Sequence, residues 1–516
     1  MTTARVSLLA SDSGLDWEWK KARNTIVFLG VSIGMIGLSS AAGGVMPREI
    51  IWVFAGVVGI FLATRSLSDP EPLLALFIAF IPLSKQIVGS VAPGINATNA
   101  LILLLLISWV AVTSRRDEPM LRKFPANKAV AVYLFFSIAS VVQVAITPEG
   151  RDFLVGEQTE LKGWFDQFIF YFVAVNLVQD GKMARRIVVY MMLGVILPDL
   201  LGMLEFLDKR DARSIESSRI DGPQIQPNDF AIFLIYGLGP FVGLLLSNAW
   251  NYRVLPLLLH IAIAAQLLVA TFSRGGWLGA VAGGVVALYY RGVRFILAFA
   301  ILGAVIVIAF PSVIPETIAL RLGHTNTESA YMERTDRSVS ERIVIWDAAI
   351  DMTKEDPIFG KGFLQFQELK DHYVAVPVRI GDPHNMYLFI ASQMGVPALL
   401  AFLYIFWVGF RMSVRVYRHC EDNFGRAIGL GGIFTIVGGL AANMFGTRVF
   451  QLETCAYIWL TVIVMSHLCA EIDAREAGRT RKPTYDLDKL RRPKARPAGD
   501  LPWWALDVGP GGRTQT

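Results

Sequence analysis

ATNALILLLLISWVAVTSRR, residues 97–116, is built like a membrane span with its stop signal attached. Eighteen uncharged residues run into Arg115-Arg116; Arg122, Lys123 and Lys128 follow, and another apolar run opens at 129. About 20 predominantly apolar residues let a helix cross a bilayer, and clustered Lys/Arg beside it mark the cytoplasmic side. The pattern recurs. Apolar runs bounded by charge or proline begin near residues 25, 49, 72, 97, 129, 164, 187, 229, 254, 276, 295, 385, 427 and 450. The predicted fold is an all-α polytopic membrane protein with about 14 transmembrane helices (roughly 12–14) at ~20 residues each. The run near Pro72 is interrupted by Pro82 and is the weakest of them.

Composition agrees. Of 516 residues, 54% are hydrophobic and 18% charged, and the mean hydropathy is +0.48, where a soluble domain carries roughly 25% charge. A soluble enzyme, a disordered chain and a collagen-like fibre are excluded. The net charge of +5 is modest; such a surplus belongs in cytoplasmic loops and does not mark a nucleic-acid partner. Cys420, Cys455 and Cys469 supply neither a disulfide framework nor a zinc spacing. The first apolar run lacks a small-residue cleavage site and is expected to be retained.

With residues 1–24 inside, every strong basic cluster falls on one side: Arg115 to Lys128, then Lys182, Arg185 and Arg186, then Arg291 and Arg294, then Arg411 to Arg426, and the tail 471–516. Residues 25–311 then hold helices 1–11, residues 312–383 form one large external loop, and residues 384–470 hold helices 12–14. The loop has a formal charge of −4. It is expected to be partly helical. Ser338 with Glu341 fits a capping box, Ile345, Ala348, Ala349 and Met352 follow at helical spacing, and Pro357 and Gly360-Lys361-Gly362 end the helix.

Three external stretches could carry chemistry. His384, in Asp382-Pro383-His384-Asn385, stands where the loop re-enters the membrane. A helix start favours the neutral imidazole that a general base needs, although the same residues also make an ordinary turn and cap. Arg274, in Ser273-Arg274-Gly275-Gly276, runs against the positive-inside bias; an arginine at a helix N-terminus suits phosphate, and the glycines allow close approach to the backbone. Arg219 precedes Pro227-Asn228-Asp229, where Asn228 reads as an N-cap. Lys85, Arg151, Glu160, Lys162 and Asp166 are further external charges, with Lys162 and Asp166 spaced to pair. Arg219, Arg274 and His384 all precede inward-running helices and can meet at one external cavity. Two arginines and a base suit transfer from a diphosphate leaving group. No cofactor or metal site is expected: Asp486-Leu487-Asp488 lies in the basic tail, and His324, His372 and His384 show no ligand spacing.

These stretches resemble the O-antigen ligase and O-antigen polymerase superfamily of bacterial membrane glycosyltransferases. The likeness rests on His384-Asn385 with Gly395 downstream, on Ser273-Arg274-Gly275-Gly276, on Arg342-Ile343-Val344-Ile345-Trp346 leading to Asp356-Pro357-Ile358-Phe359-Gly360, and on the Arg219 to Asn228 stretch, while Ala398 departs from the ligase pattern. It covers about residues 215–400. The resemblance implies metal-independent transfer of an undecaprenyl-diphosphate-linked glycan to a sugar acceptor at the periplasmic face of the inner membrane. His384 would be the catalytic base, Arg219, Arg274 and Arg342 would bind the diphosphate, and Asn228, Gly275, Gly276 and Asn385 would support them. Membrane lipid, a chain-length regulator and a flippase are the candidate partners. The span count leans toward polymerising a surface polysaccharide or exopolysaccharide, with ligation onto lipid A core as the alternative. A transporter or flippase would instead use ionisable residues within the spans, for which Asp199, Glu205, Glu453 and His260 qualify, with His260 alone expected to lie deep. A non-catalytic scaffold of a polysaccharide assembly complex is a third class.

Overall fold

In lipid a backbone N–H or C=O without a partner costs several kcal/mol, so a chain this apolar closes its hydrogen bonds within helices. The computed structural model describes residues 64–87, 97–116, 119–210, 215–247, 254–309, 330–375, 378 and 381–478, and among them helix is the only regular structure. The predicted spans near 25 and 49, the termini, His324 and Asp486-Leu487-Asp488 lie outside the described residues. The main helices are α1 Glu71–Phe80, α2 Ala97–Arg116, α3 Asn127–Ala145, α4 Pro148–Gly156, α5 Gln158–Leu177, α6 Gly181–Gly194, α7 Ile196–Lys209, α8 Pro227–Ser247, α9 Val254–Ala270, α10 Arg274–Arg291, α11 Val293–Ala309, α12 Ala330–Glu355, α13 Met386–Met394, α14 Val396–His419, α15 Asn423–Ala442 and α16 Leu452–Glu476. Contacts divide the chain after Ile472; the described part of the second unit is the end of α16.

Among the described residues, seven segments are long and apolar enough to cross a membrane: α2, α3, α6 with α7, α8, α14, α15 and α16. The runs near 72, 164, 254, 276 and 295 do fold as helices (α1, α5, α9, α10 and α11), but shorter or less apolar ones. The run near 385 is corrected most. It is two helices, because Gly395 sits at φ +88° and Pro397 follows in the first turn of α14. A Cβ at Gly395 would lie 2.1 Å from the Ile358 carbonyl oxygen. The loop clasps this break: Val396 N–H donates to Pro357 O at 2.7 Å, Lys361 N–H to Ser392 O at 2.8 Å and Gly362 N–H to Gln393 O at 3.1 Å. The crossing helix therefore starts at Val396, and α13 is a separate short helix.

The loop helix is longer than its residues suggested. α12 is already helical from Ala330, so Ser338 and Glu341 are interior and form no N-cap; helix favourability upstream overrides the capping pattern. It ends at Glu355, ahead of Pro357, as expected. Ile345, Ala348, Ala349 and Met352 are buried, and Ile345, Ala349 and Met352 cluster with Phe366.

Burial orders the bundle. Of the best crossing window, 89% is buried in α16 but only 28% in α2 and 33% in α3, so among these segments α16 is the most enclosed by the described helices and α2 and α3 the least. Trp164 of α5 anchors an aromatic cluster with Tyr133, Phe363, Phe389 and Phe450. α8 and α15 touch backbone to backbone, and a Cβ on Gly431 would lie 2.4 Å from Gly239 O. At one end of the bundle the basic residues tie loops together: Arg185 pairs with Asp422 and Glu471, both at 2.7 Å, Arg122 donates to Val178 O at 2.7 Å, and Arg186 pairs with Glu71. At the other end Gln224 donates to Pro82 O at 3.2 Å and Glu453 O at 3.3 Å, and Lys85 pairs with Asp229 at 3.7 Å.

Candidate active site

At this second end, a cavity of about 490 Å³ opens between the α4–α5 junction, the start of α8, the 364–368 turn and the segments leading into α13 and α16. His384, Asp382, Arg448, Thr447, Asp229 and Gln393 are among the residues that line it. His384 has φ +48°, a left-handed conformation unusual for histidine. Five hydrogen bonds fix this turn. Its N–H donates to one Asp382 oxygen, and the other Asp382 oxygen accepts from the Thr447 hydroxyl. Asn385 is the N-cap of α13, accepting from Tyr387 N–H at 3.0 Å and Leu388 N–H at 3.2 Å. Trp346 of α12 donates its indole N–H to Pro383 O at 2.8 Å. The turn-and-cap reading is realised by Asn385, and His384, just before the cap, lines the cavity.

The imidazole Nδ1 lies 3.8 Å from Asp382 Oδ1. Burial holds the histidine's proton affinity below its ordinary value; the Arg342 and Arg448 charges push the same way, and Asp382 opposes them. The neutral form is therefore favoured near pH 7.

Arg448 was not singled out from the sequence. Its guanidinium pairs with Asp229, which Lys85 also reaches, and its N–H donates to Asn443 Oδ1 at 3.0 Å. The signal was present. Arg448 stands beside the last span on the side away from the basic clusters, the same departure that drew attention to Arg274. Arg342 extends from α12 into this region. Its proton affinity is lowered by burial and by the Arg274 and Arg448 charges, and its Nε has no hydrogen-bond partner although buried. Arg342 thus feels the positive charge of both Arg274 and Arg448, although of the three only Arg448 lines the cavity, and an anion beside Arg342 would relieve both that repulsion and the orphaned Nε.

Arg274 opens α10, exposed, behind the Ser273 cap that accepts from Gly276 N–H at 3.3 Å. Gly275 and Gly276 are buried and serve packing: a Cβ would lie 3.0 Å from Phe445 Cβ at the first and 2.8 Å from Ala231 Cβ at the second. Arg219 is placed differently. It donates to Thr271 O at 3.0 Å and to Asn228 Oδ1 at 3.2 Å, bracing the turn that leads to Arg274. Asn228 is not the N-cap of α8, which begins at Pro227; Gln226 takes that role, accepting from Asp229 N–H at 2.8 Å.

Several other sequence candidates have structural partners: Lys162 pairs with Asp166, and Glu205 accepts from Asp221 and Gly222 N–H. His260 is not alone at depth: its Nε2 lies 3.4 Å from buried Asp199. Among the described residues no group of three or more His, Cys, Asp or Glu is arranged to hold a metal.

A family model described as O-antigen ligase matches residues 257–403. The match runs from α9 to α14 and includes Arg274, Arg342 and His384, while Arg219 and Arg448 fall outside it. A search of curated proteins returned no match. Residues 257–403 are thus similar to the O-antigen ligase family, within a chain whose described residues are helical and include seven segments fit to cross a membrane.

Proposed function

We propose that this chain is an integral membrane glycosyltransferase that moves a glycan from an undecaprenyl-diphosphate carrier to a sugar hydroxyl. The observation that carries the reading is the pair Arg342 and Arg448 beside a neutral-leaning His384, with Arg274 near enough to act on Arg342. His384, with Nδ1 turned to Asp382, offers Nε2 to the acceptor. That nitrogen takes the hydroxyl proton as the acceptor oxygen bonds to the anomeric carbon; the bond from that carbon to the diphosphate oxygen breaks, and the diphosphate leaves with the electron pair. Arginines bind that growing charge best when they are fixed in advance. Arg274, Arg342 and Arg448 take this role, and Arg219 positions the Arg274 end. The basic clusters at the opposite end of the bundle support, through the positive-inside bias, a cavity at the periplasmic face of the inner membrane.

Polymerisation of a surface polysaccharide or exopolysaccharide is the preferred reaction; the description of the matched family favours ligation as the second reading. His384→Ala and Arg274→Ala should each abolish transfer while the protein still inserts, and normal activity in either would overturn the mechanism. Deleting the gene separates the two reactions. Single repeat units left on the carrier mean a polymerase, and long polymer left on the carrier means a ligase.

A further inference from the structure

The cavity is two-sided. Arg448 and His384 form one part of it. Away from them the described lining is Glu157, Glu160, Gln367, Glu368 and Gln451 among Phe153, Phe366 and Phe450. Asp229 and Asp382 are engaged by Arg448, Lys85, Thr447 and the His384 turn; Glu160 hydrogen-bonds the neutral Gln451, and Lys85 lies near it, but Glu157 and Glu453 also crowd it with like charge. At the floor, Gln393 is 1% exposed, and its Oε1 has no hydrogen-bond partner while its amide N–H reaches Phe389 O at 3.4 Å. A buried amide oxygen without a donor costs about 1–3 kcal/mol, and here it borders a cavity that a ligand could fill. Carboxylates and amides accept from hydroxyl or ammonium groups, and aromatic faces cover the apolar face of a pyranose.

We propose that this wall is the acceptor-sugar subsite and that it takes an uncharged or amine-bearing sugar in preference to an anionic one. The assignment rests on the transferase reading above. Gln393 Oε1 accepts from a sugar hydroxyl or amine at the floor. Glu157, Glu160 and Glu368 repel a uronic acid or phosphorylated sugar. At an effective dielectric near 40, a like charge ~6 Å away weakens binding about tenfold.

The test uses the full chain in lipid nanodiscs and three alkyl disaccharides, ending in a hexose, a 2-amino-2-deoxyhexose or a hexuronic acid. Binding is titrated by saturation-transfer NMR on the wild type and on His384→Ala, which should bind without turnover. The hexuronic acid should bind at least about tenfold more weakly at low salt, and the gap should narrow as salt rises. The Glu157→Gln/Glu160→Gln/Glu368→Gln variant should close the gap, and Gln393→Leu should weaken all three ligands. Equal binding of the three, a gap that survives the triple variant, or no binding at all overturns the proposal. Charge-selective binding combined with no transfer to any acceptor would refute the transferase reading and leave the subsite standing.

Discussion

Asp382→Asn tests how the turn and the base are coupled. One Asp382 oxygen takes the His384 N–H and the other the Thr447 hydroxyl, so the carboxylate holds His384 in its left-handed conformation. Such a conformation costs on the order of 1–3 kcal/mol and persists only if its surroundings over-determine it. Asparagine can remake both contacts, with the Thr447 hydroxyl turned round as acceptor, but without charge. Hydrogen bonds to ionised groups contribute about 1.5–3 kcal/mol against about 0.5–1.5 for neutral ones. The two bonds together therefore lose about 2 kcal/mol, which corresponds to ~30-fold in rate if the full loss is felt in the transition state. The pH dependence has a definite sign. Asp382 raises the proton affinity of His384, so its removal lets the imidazole stay neutral to lower pH. The acid limb of kcat should move downward while kcat itself falls. Single-turnover transfer from a lipid-diphosphate donor, measured across pH, reads both. A variant within about twofold of wild type, or an acid limb that moves upward, would refute the coupling, since ~2 kcal/mol cannot vanish from kcat if His384 is the base.

Arg448→Gln should move the acid limb the other way, because Arg448 holds His384 less easily protonated, and should raise the donor KM; Arg448→Lys should not restore the wild-type KM, since an ammonium lacks the planar fork that pairs with phosphate. Gly395→Ala should destabilise the fold by more than ~2 kcal/mol, read as a drop in thermal midpoint in detergent, because φ +88° and the Ile358 carbonyl both exclude a side chain. His260→Leu should cost about 1–3 kcal/mol of stability by stranding buried Asp199, yet leave transfer per folded molecule unchanged. Collapsing the proton gradient across proteoliposomes should not alter the transfer rate, and arrest of transfer there would return the pair to a transport role.

Membrane class, helical structure and the segregation of basic residues follow from the sequence because each depends on local composition: a run such as 97–116 has no alternative to helix in lipid. The amphipathic face of α12 was legible for the same reason, its apolar spacing being a local property. His384, Asn385, Arg274 and Arg342 were legible as residue types in telling places. What each does was decided by contacts between distant segments. Asn228 lost the capping role to Gln226 because Arg219 claims its side chain. Gly275 and Gly276 were absorbed by packing against Phe445 and Ala231. The break at Gly395 depends on a carbonyl 37 residues upstream, at Ile358. Arg448 joined the site only because α16 brings the 443–448 segment beside Asp229 and the His384 turn. Propensity and periodicity act over a few residues, whereas a charged cavity is assembled from side chains hundreds of residues apart, and the energies that place them there exist only once the helices have packed.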